Sequence, residues 1–379
     1  MMEPSPQSQQ LASERGWITI DQSALVHNIQ QIQAKLITGT ELMAIVKADA
    51  YGHGAVQVAK AALSQGVSAL GVATIPEGIE LRQSGITVPI LVLGATHLEA
   101  EIEAIARWRL QPTICSPEQA LQFSQRLVRP LQVHLNIDTG MSRLGPIWQQ
   151  GESFISFVQG LSNLEIAGVY SHLATADEQD SDFMETQLSR FTQLRHRLSC
   201  IGLGEVKYHF ANSAGMLSGP AYHFDLVRTG LALYGLYPAP QLYRSIRLRP
   251  VMSVKAKVTH VKRLPPETGI SYGHSFITDD STLVATIGIG YADGVPRGLS
   301  NRMQVLIHGQ RAKQVGNVTM DQFMVNVNHI PNVNVGDVVT LIGRDGNQRI
   351  TADDWATTLN TISYEIVCGF NQRLPRLYI

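Results

Sequence analysis

Over the first two thirds of the chain, apolar positions fall into short unbroken runs separated by longer amphipathic stretches. Residues 42–46 are apolar without alternation, the pattern of a strand buried on both faces. Seven further strands are predicted at 69–73, 88–93, 111–115, 132–137, 165–170, 206–210 and 225–227. Helices are predicted between them, near 55–65, 76–84, 98–107, 150–160 and 182–201, with another opened by Pro117. The segment 182–201 is the clearest, because Met184, Leu188, Phe191 and Leu198 trace one apolar stripe. Eight strands alternating with helices predict a (β/α)8 TIM-type barrel, whose active site lies at the carboxyl ends of the strands. A doubly wound open sheet shows the same alternation, but no Gly-x-Gly-x-x-Gly follows the first strand to favour a dinucleotide fold.

After Pro238 and Pro240 the pattern changes to short β-rich runs at 253–261, 282–289, 303–307, 323–327 and 338–342, with one helix near 352–358. The predicted architecture is therefore α/β: an N-terminal barrel over 16–245 and a C-terminal mostly-β domain over 246–379. Residues 1–15 begin rich in Ser, Pro and Gln and are expected to be a disordered tail, not a signal peptide.

Composition adds limits. Of 379 residues, 44% are hydrophobic and 16% charged, which leaves ample core. The formal net charge of -1, without blocks of like charge, argues against a nucleic-acid surface or a basic membrane patch. Cys115, Cys200 and Cys368 stand far apart, which disfavours a disulfide framework or a cysteine metal site and fits a reducing, cytoplasmic setting. No apolar run is long enough to suggest a membrane span.

Polar chemistry gathers at the predicted strand ends. The first strand delivers Lys47 and Tyr51, and Gly52 and Gly54 follow in a turn. A lysine leaving a buried strand suits covalent bonding to a carbonyl, although a lone lysine there is more often a surface cap. The fifth strand delivers Asn136, Asp138, Thr139, Gly140 and Arg143, and the sixth Ser171 and His172. The seventh delivers Asn212 and Ser213, and the eighth Arg228, Thr229 and Gly230. Helix capping by Asn212 or Ser213 and a structural ion pair at Arg228 are the plainer readings of those positions.

The run Val46-Lys47-Ala48-Asp49-Ala50-Tyr51-Gly52-His53-Gly54 resembles the cofactor-lysine motif of the alanine racemase family, among the fold type III pyridoxal-phosphate enzymes. The resemblance continues in order through Asp138-Thr139-Gly140-Met141-Ser142-Arg143, Ser171-His172, Ala211-Asn212-Ser213, Arg228-Thr229-Gly230, Ser271-Tyr272-Gly273, Gly290-Tyr291, Met320-Asp321-Gln322 and Ser363-Tyr364-Glu365. It implies an isomerase that interconverts L- and D-alanine with pyridoxal 5'-phosphate and supplies D-alanine for peptidoglycan. Lys47 and Tyr272 are the implied bases on opposite faces of the substrate, with His172 and Arg228 behind Tyr272. Arg228 is the implied partner of the pyridine nitrogen. Tyr51, Asn212, Ser213, Gly230, Leu231 and Tyr364 complete the cofactor set. Arg143, Met320 and Tyr291 are the implied substrate contacts, and Asp321 a support for the Tyr272 loop. A homodimer is implied, with the β domain of one subunit closing the barrel of the other.

The chain departs from the family pattern in two places. Asn136 stands where many members carry a lysine that is often carbamylated beside the arginine matching Arg143. A chloride near Asn136 and Arg143 is the expected substitute. Asn317 and Thr319 stand where arginine and cysteine are frequent, which changes the charge of the access corridor. Alternative readings are a serine or broad-specificity racemase, an amino-acid decarboxylase of the same architecture, and a pyridoxal-phosphate carrier. The decarboxylase is disfavoured by Arg228 and Tyr272, the carrier by the β domain.

Overall fold

The first barrel strand forms at Glu41–Ile45 and pairs in parallel with Ala69–Val72 on one side and Leu226–Thr229 on the other. That second pairing closes the barrel. Between them follow Ile90–Ala95, Gln111–Ile114, Leu131–Asn136, Leu164–Tyr170 and Lys207–His209, each parallel to its neighbours. The structure is a computed structural model that describes residues 14–178, 182–199, 201–203, 205–243 and 245–379. The expected tail at 1–15 therefore falls largely outside the described residues.

Helices form where the amphipathic stretches predict them, as at Ala55–Ser64, Pro117–Arg126 and Asp182–Ser199. Ser116 caps the second of these by accepting from Gln119 N, with Pro117 at the first helical position. In the third, Met184, Phe191 and Leu198 are buried as the stripe requires, and Gln187 is buried with them.

The barrel interior is not wholly apolar. Thr113 Oγ1 lies 2.8 Å from Tyr170 Oη, and His134 Nδ1 lies 2.8 Å from His209 Nε2. In each pair the two strands are not neighbours in the sheet, so these side chains meet across the interior.

The described residues form a barrel unit, Ala24–Ala50 with Gly54–Arg249, and a second unit made of Glu14–Ser23, Tyr51–His53 and Pro250–Ile379. The second unit holds a nine-stranded sheet. Its longest strand, Met252–Leu264, pairs with Thr282–Ile287, with Val338–Asp345 and with Gly16–Ile20. Gly16–Ile20 is thus a strand of this sheet, held on its other side by Arg376–Tyr378. Strands Gln310–Val315 and Gln348–Ile350 add to the predicted set. Both are short and rich in Gln, Arg and Lys, which hides them from a hydrophobic pattern.

Candidate active site

Lys47 follows directly on the first barrel strand and is partly buried. The helical turn Lys47–Gly52 that it opens is left-handed: Ala48, Asp49, Ala50 and Tyr51 have φ of 52°, 52°, 52° and 55°. Each non-glycine residue in that conformation costs roughly 1–2 kcal/mol, so the surroundings must enforce it. Glu77 does so from the next helix, accepting from Ala48 N and, through its other oxygen, from Ala73 N and Thr74 N. Asp49 Oδ1 accepts from Ala55 N and joins the turn to the helix that follows. Gly52 (φ 80°) is required, because a Cβ there would lie 2.5 Å from the carbonyl oxygen of Val367.

After the fifth strand, Asp138 Oδ1 accepts from Gly140 N and Ser142 N and shapes the loop that presents Arg143. Arg143 is exposed, and no ion pair joins it to a carboxylate among the described residues. Asn136 is buried at the end of the strand. Gln187 ties this loop to the sixth strand end: its Nε2 donates to Thr139 Oγ1 and to His172 O, and its Oε1 accepts from Ala174 N. Sequence reading missed Glu77 and Gln187. The one available signal was a glutamine on the apolar stripe of a helix.

Arg228 is 3% exposed and has no carboxylate among its described partners. Its Nη1 lies 2.9 Å from His209 Nδ1, and its Nη2 reaches Ser171 O, Phe210 O and His172 Nδ1. Its guanidinium also lies 5.0 Å from the centre of the Tyr170 ring. Burial pushes the Arg228 pKa down to about 10, which keeps it a cation near neutral pH. His172 is pushed to about 3 by burial and then by Arg228, Arg143 and Lys47. Arg228 contacts this neutral imidazole directly at 3.2 Å, while Arg143 and Lys47 act on it through space. Because an arginine only donates, His172 Nδ1 accepts and its proton sits on Nε2.

Asn212 caps the helix Ser213–Ser218 by accepting from Gly215 N. The Ser213 oxygen accepts from Gly230 N at 3.0 Å and Ala232 N at 3.3 Å. With both lone pairs used, its O–H is left to donate. Leu231 is buried beside Gly230.

The other candidate residues lie in the second unit. Tyr51 and Tyr364 face each other with ring centres 5.9 Å apart, and burial raises the Tyr51 pKa strongly, so it remains a phenol. Tyr272, Met320 and Tyr291 are 75%, 53% and 43% exposed. One segment joins their loops. Asn317 Nδ2 donates to Tyr272 O, Tyr291 N donates to Thr319 O, and Ala292 N donates to Met320 O. Asp321 pairs with Arg373 at 2.7 Å, while the direct bond to the Tyr272 loop comes from Asn317.

His134 and His209 make a stability prediction. Burial, followed by Arg228, lowers the His134 pKa to about 3 and holds His209 well below 6.5. As pH falls below 6.5 the unfolded chain protonates both and the folded chain does not, so stability is full above 6.5 and lost on acidification. Two protons give a slope of up to about 2.7 kcal/mol per pH unit. Urea midpoints should fall steeply between neutral pH and about pH 4.5. An unchanged midpoint in His134→Gln and wild type alike would rule this account out.

A closed barrel with a lysine at the end of its first strand, followed by a β domain, is the architecture that the resemblance to fold type III pyridoxal-phosphate enzymes implies. The alanine racemase N-terminal domain family matches residues 20–238, and the C-terminal domain family matches residues 251–378. The chain belongs to the alanine racemase family. It is 55% identical over 370 residues to the alanine racemase of Nostoc sp., covering 96% of both chains. Its structure matches the alanine racemase of Clostridium difficile 630 with a TM-score of 0.92, at 35% identity, covering 97% of this chain and 96% of that one. The alanine racemase of Bartonella henselae, with covalently bound pyridoxal phosphate, gives 0.86 at 31% identity, covering 96% and 99%. Among the described residues, no helix is long and apolar enough to cross a membrane.

Proposed function

We propose that this chain is a cytoplasmic homodimeric enzyme that interconverts L- and D-alanine with pyridoxal 5'-phosphate bound through Lys47, and that its D-alanine serves peptidoglycan synthesis. The observation that carries this reading is the buried Arg228, bonded to His172 Nδ1 at 3.2 Å among the strand ends that also present Lys47. The residues fit the cofactor. Lys47 offers the amine, the Ser213 hydroxyl offers a hydrogen to a phosphate, and Thr229 Oγ1 is buried without a hydrogen-bond partner. Tyr51, Tyr364 and the backbone at Gly230 and Leu231 complete the proposed phosphate set, with Asn212 fixing the Ser213 turn. Arg228 remains a cation with donors only, so it suits an unprotonated pyridine nitrogen. When bound, the cofactor supplies an electron sink for the charge left on Cα when its proton is removed.

The protein's own groups handle the proton. Lys47 Nζ serves one face of the substrate Cα and Tyr272 Oη the other. A phenol has an ordinary pKa near 10, and the His172 Nε2–H is a donor that favours its anion. Arg143 holds the substrate carboxylate together with the Met320 N–H, and Tyr291 lines the access path. Asn136 brings no negative charge to Arg143, and a chloride ion is proposed there.

Tyr272, Tyr291, Met320 and Asp321 are proposed to act in the barrel of the partner subunit. Their exposure supports this, and complementation tests it. Lys47→Ala and Tyr272→Phe proteins should each be inactive, whereas an equal mixture, unfolded and reassembled, should recover about a quarter of wild-type activity. That value follows because half the dimers are mixed and each mixed dimer keeps one complete site. No recovery from verified mixed dimers would place each site within one chain. Circular dichroism of separate L-alanine and L-serine incubations tests the substrate, with the L-alanine signal expected to decay to zero much faster. Faster loss of the serine signal would move the assignment to a serine racemase.

A further inference from the structure

Arg228 is bound through His209 to a hydrogen-bond chain that crosses the barrel and uses no charged group. Arg228 Nη1 lies 2.9 Å from His209 Nδ1, His209 Nε2 lies 2.8 Å from His134 Nδ1, and His134 Nε2 lies 3.1 Å from Gln111 Oε1. Gln111 Nε2 then donates to Gln132 Oε1 at 2.7 Å. Gln132 is exposed, while Gln111, His134 and His209 are buried.

The chemistry of the first member fixes the direction of every bond. Arginine has no acceptor, so His209 Nδ1 is bare and its hydrogen is on Nε2. That hydrogen is donated to His134 Nδ1, so His134 also carries its hydrogen on Nε2. His134 therefore needs an oxygen beyond it, and Gln111 Oε1 is there. The Gln111 amide nitrogen in turn needs an acceptor, and Gln132 Oε1 is there. All links point the same way, with the negative end of each group toward Arg228. Gly168 makes room for the pair, because a Cβ there would lie 2.3 Å from His134 Nδ1 and 3.1 Å from His209 Nε2. The Tyr170 ring stacks on His209 at 4.7 Å and covers Arg228 as well.

We propose that Gln132, Gln111, His134 and His209 form a chain of aligned neutral dipoles that positions Arg228 and takes the place of a carboxylate counter-ion. A carboxylate would cancel the charge of Arg228. The dipole chain stabilises the buried cation and leaves its full positive charge facing the barrel mouth. Hydrogen bonds in series polarise one another, so the outermost links strengthen the bond at Arg228. The functional consequence rests on the pyridoxal-phosphate reading: an undiminished cation keeps the pyridine nitrogen unprotonated and disfavours transamination. His134, Gln111 and Gln132 are positioning residues that act through His209.

Two-bond proton–nitrogen correlation spectra of enzyme labelled with 15N-histidine test this, with signals assigned by their loss in His134→Asn and His209→Asn. Both rings should show a bare Nδ1 and a protonated Nε2, with and without cofactor, throughout about pH 5.5 to 8.5. Gln111→Leu removes the acceptor for His134 Nε2–H while Arg228 still holds His209 Nδ1 bare, so the His209 tautomer should persist and the His134 Nε2–H signal should move upfield and exchange faster with water. Gln111→Glu keeps an acceptor oxygen and should retain the wild-type tautomers. The number of racemisation turnovers per conversion of bound cofactor to its amine form should fall roughly tenfold in Gln111→Leu and stay low in Gln111→Glu, which keeps the acceptor but adds the negative charge that the chain avoids. A protonated Nδ1 or a titrating ring in the wild type overturns the chain. An altered His134 Nε2–H signal in Gln111→Leu with an unchanged partition overturns its role at Arg228. If the protein binds no pyridoxal phosphate, the proposed function falls, and spectra of the cofactor-free enzyme still decide the chain.

Discussion

Lys47→Ala should purify without the near-visible absorption band of the bound cofactor and should racemise alanine at least about 10^4-fold more slowly. The substitution removes two things at once: the amine that attaches the cofactor and the base for one face of the substrate. It should leave the fold intact. The turn after residue 47 is held by Glu77 on Ala48 N and by the bond from Ala50 N to Val46 O, neither of which uses the lysine side chain. The unfolding free energy is expected to move by less than about 1 kcal/mol. Small primary amines added to the variant should restore part of the activity, because they can enter the space left by the side chain. If the band persists in Lys47→Ala, another group carries the cofactor and the assignment at the first strand end is wrong. Loss of the band with loss of the folded circular-dichroism spectrum would instead be a folding defect, which thermal melts separate.

The barrel was legible chiefly where its strands are buried on both faces, as at Glu41–Ile45 and Ala69–Val72, which read as apolar runs, whereas Lys207–His209 is only partly buried. Closure was not legible. The pairing of Glu41–Ile45 with Leu226–Thr229 joins the two ends of the array, and no local pattern encodes it. The β domain was less legible for a related reason. Gln310–Val315 has only three buried positions, and its partner in one hairpin, Gln304–Ile307, carries the apolar load. The sequence pattern groups Gly16–Ile20 with the barrel domain, and only long-range pairing places it in the sheet of the second unit. The left-handed turn after Lys47 was invisible, since Ala48, Asp49, Ala50 and Tyr51 have no intrinsic preference for positive φ. Tertiary hydrogen bonds override local propensity there.

For the candidate site, the residues proposed to touch a ligand come from short motifs, and residues that hold loops together do not. Lys47, Arg143, His172 and Arg228 stand at strand ends and could be read directly. Gln187 joins Thr139, His172 and Ala174, segments brought together only by the closed barrel. Glu77 holds two strand ends in the same way. Asn317 was legible only as a departure from the family pattern. Its bond to Tyr272 O makes it a support for the tyrosine loop as well as a change in corridor charge.

Tyr272→Phe should keep the cofactor band and lose racemisation by roughly 10^3-fold, within the range of a single general acid–base group. The ring is 75% exposed, and its loop is fixed through the backbone: Asn317 Nδ2 donates to Tyr272 O, and Ser271 Oγ donates to Asn317 O. Phenylalanine therefore keeps the loop and removes only the hydroxyl, so stability should change by no more than about 0.5 kcal/mol. The loss should fall on kcat with little change in KM, because a proton-transfer group contributes in the transition state and not to ground-state binding. The decisive readout is exchange in deuterated water. A two-base enzyme that has lost Tyr272 retains Lys47, so it should still exchange the α-hydrogen of one alanine enantiomer without inverting it. The other enantiomer should neither exchange nor invert at a comparable rate. If exchange and inversion instead slow together for both enantiomers while remaining in step, one base serves both faces. Tyr272 would then be a positioning residue.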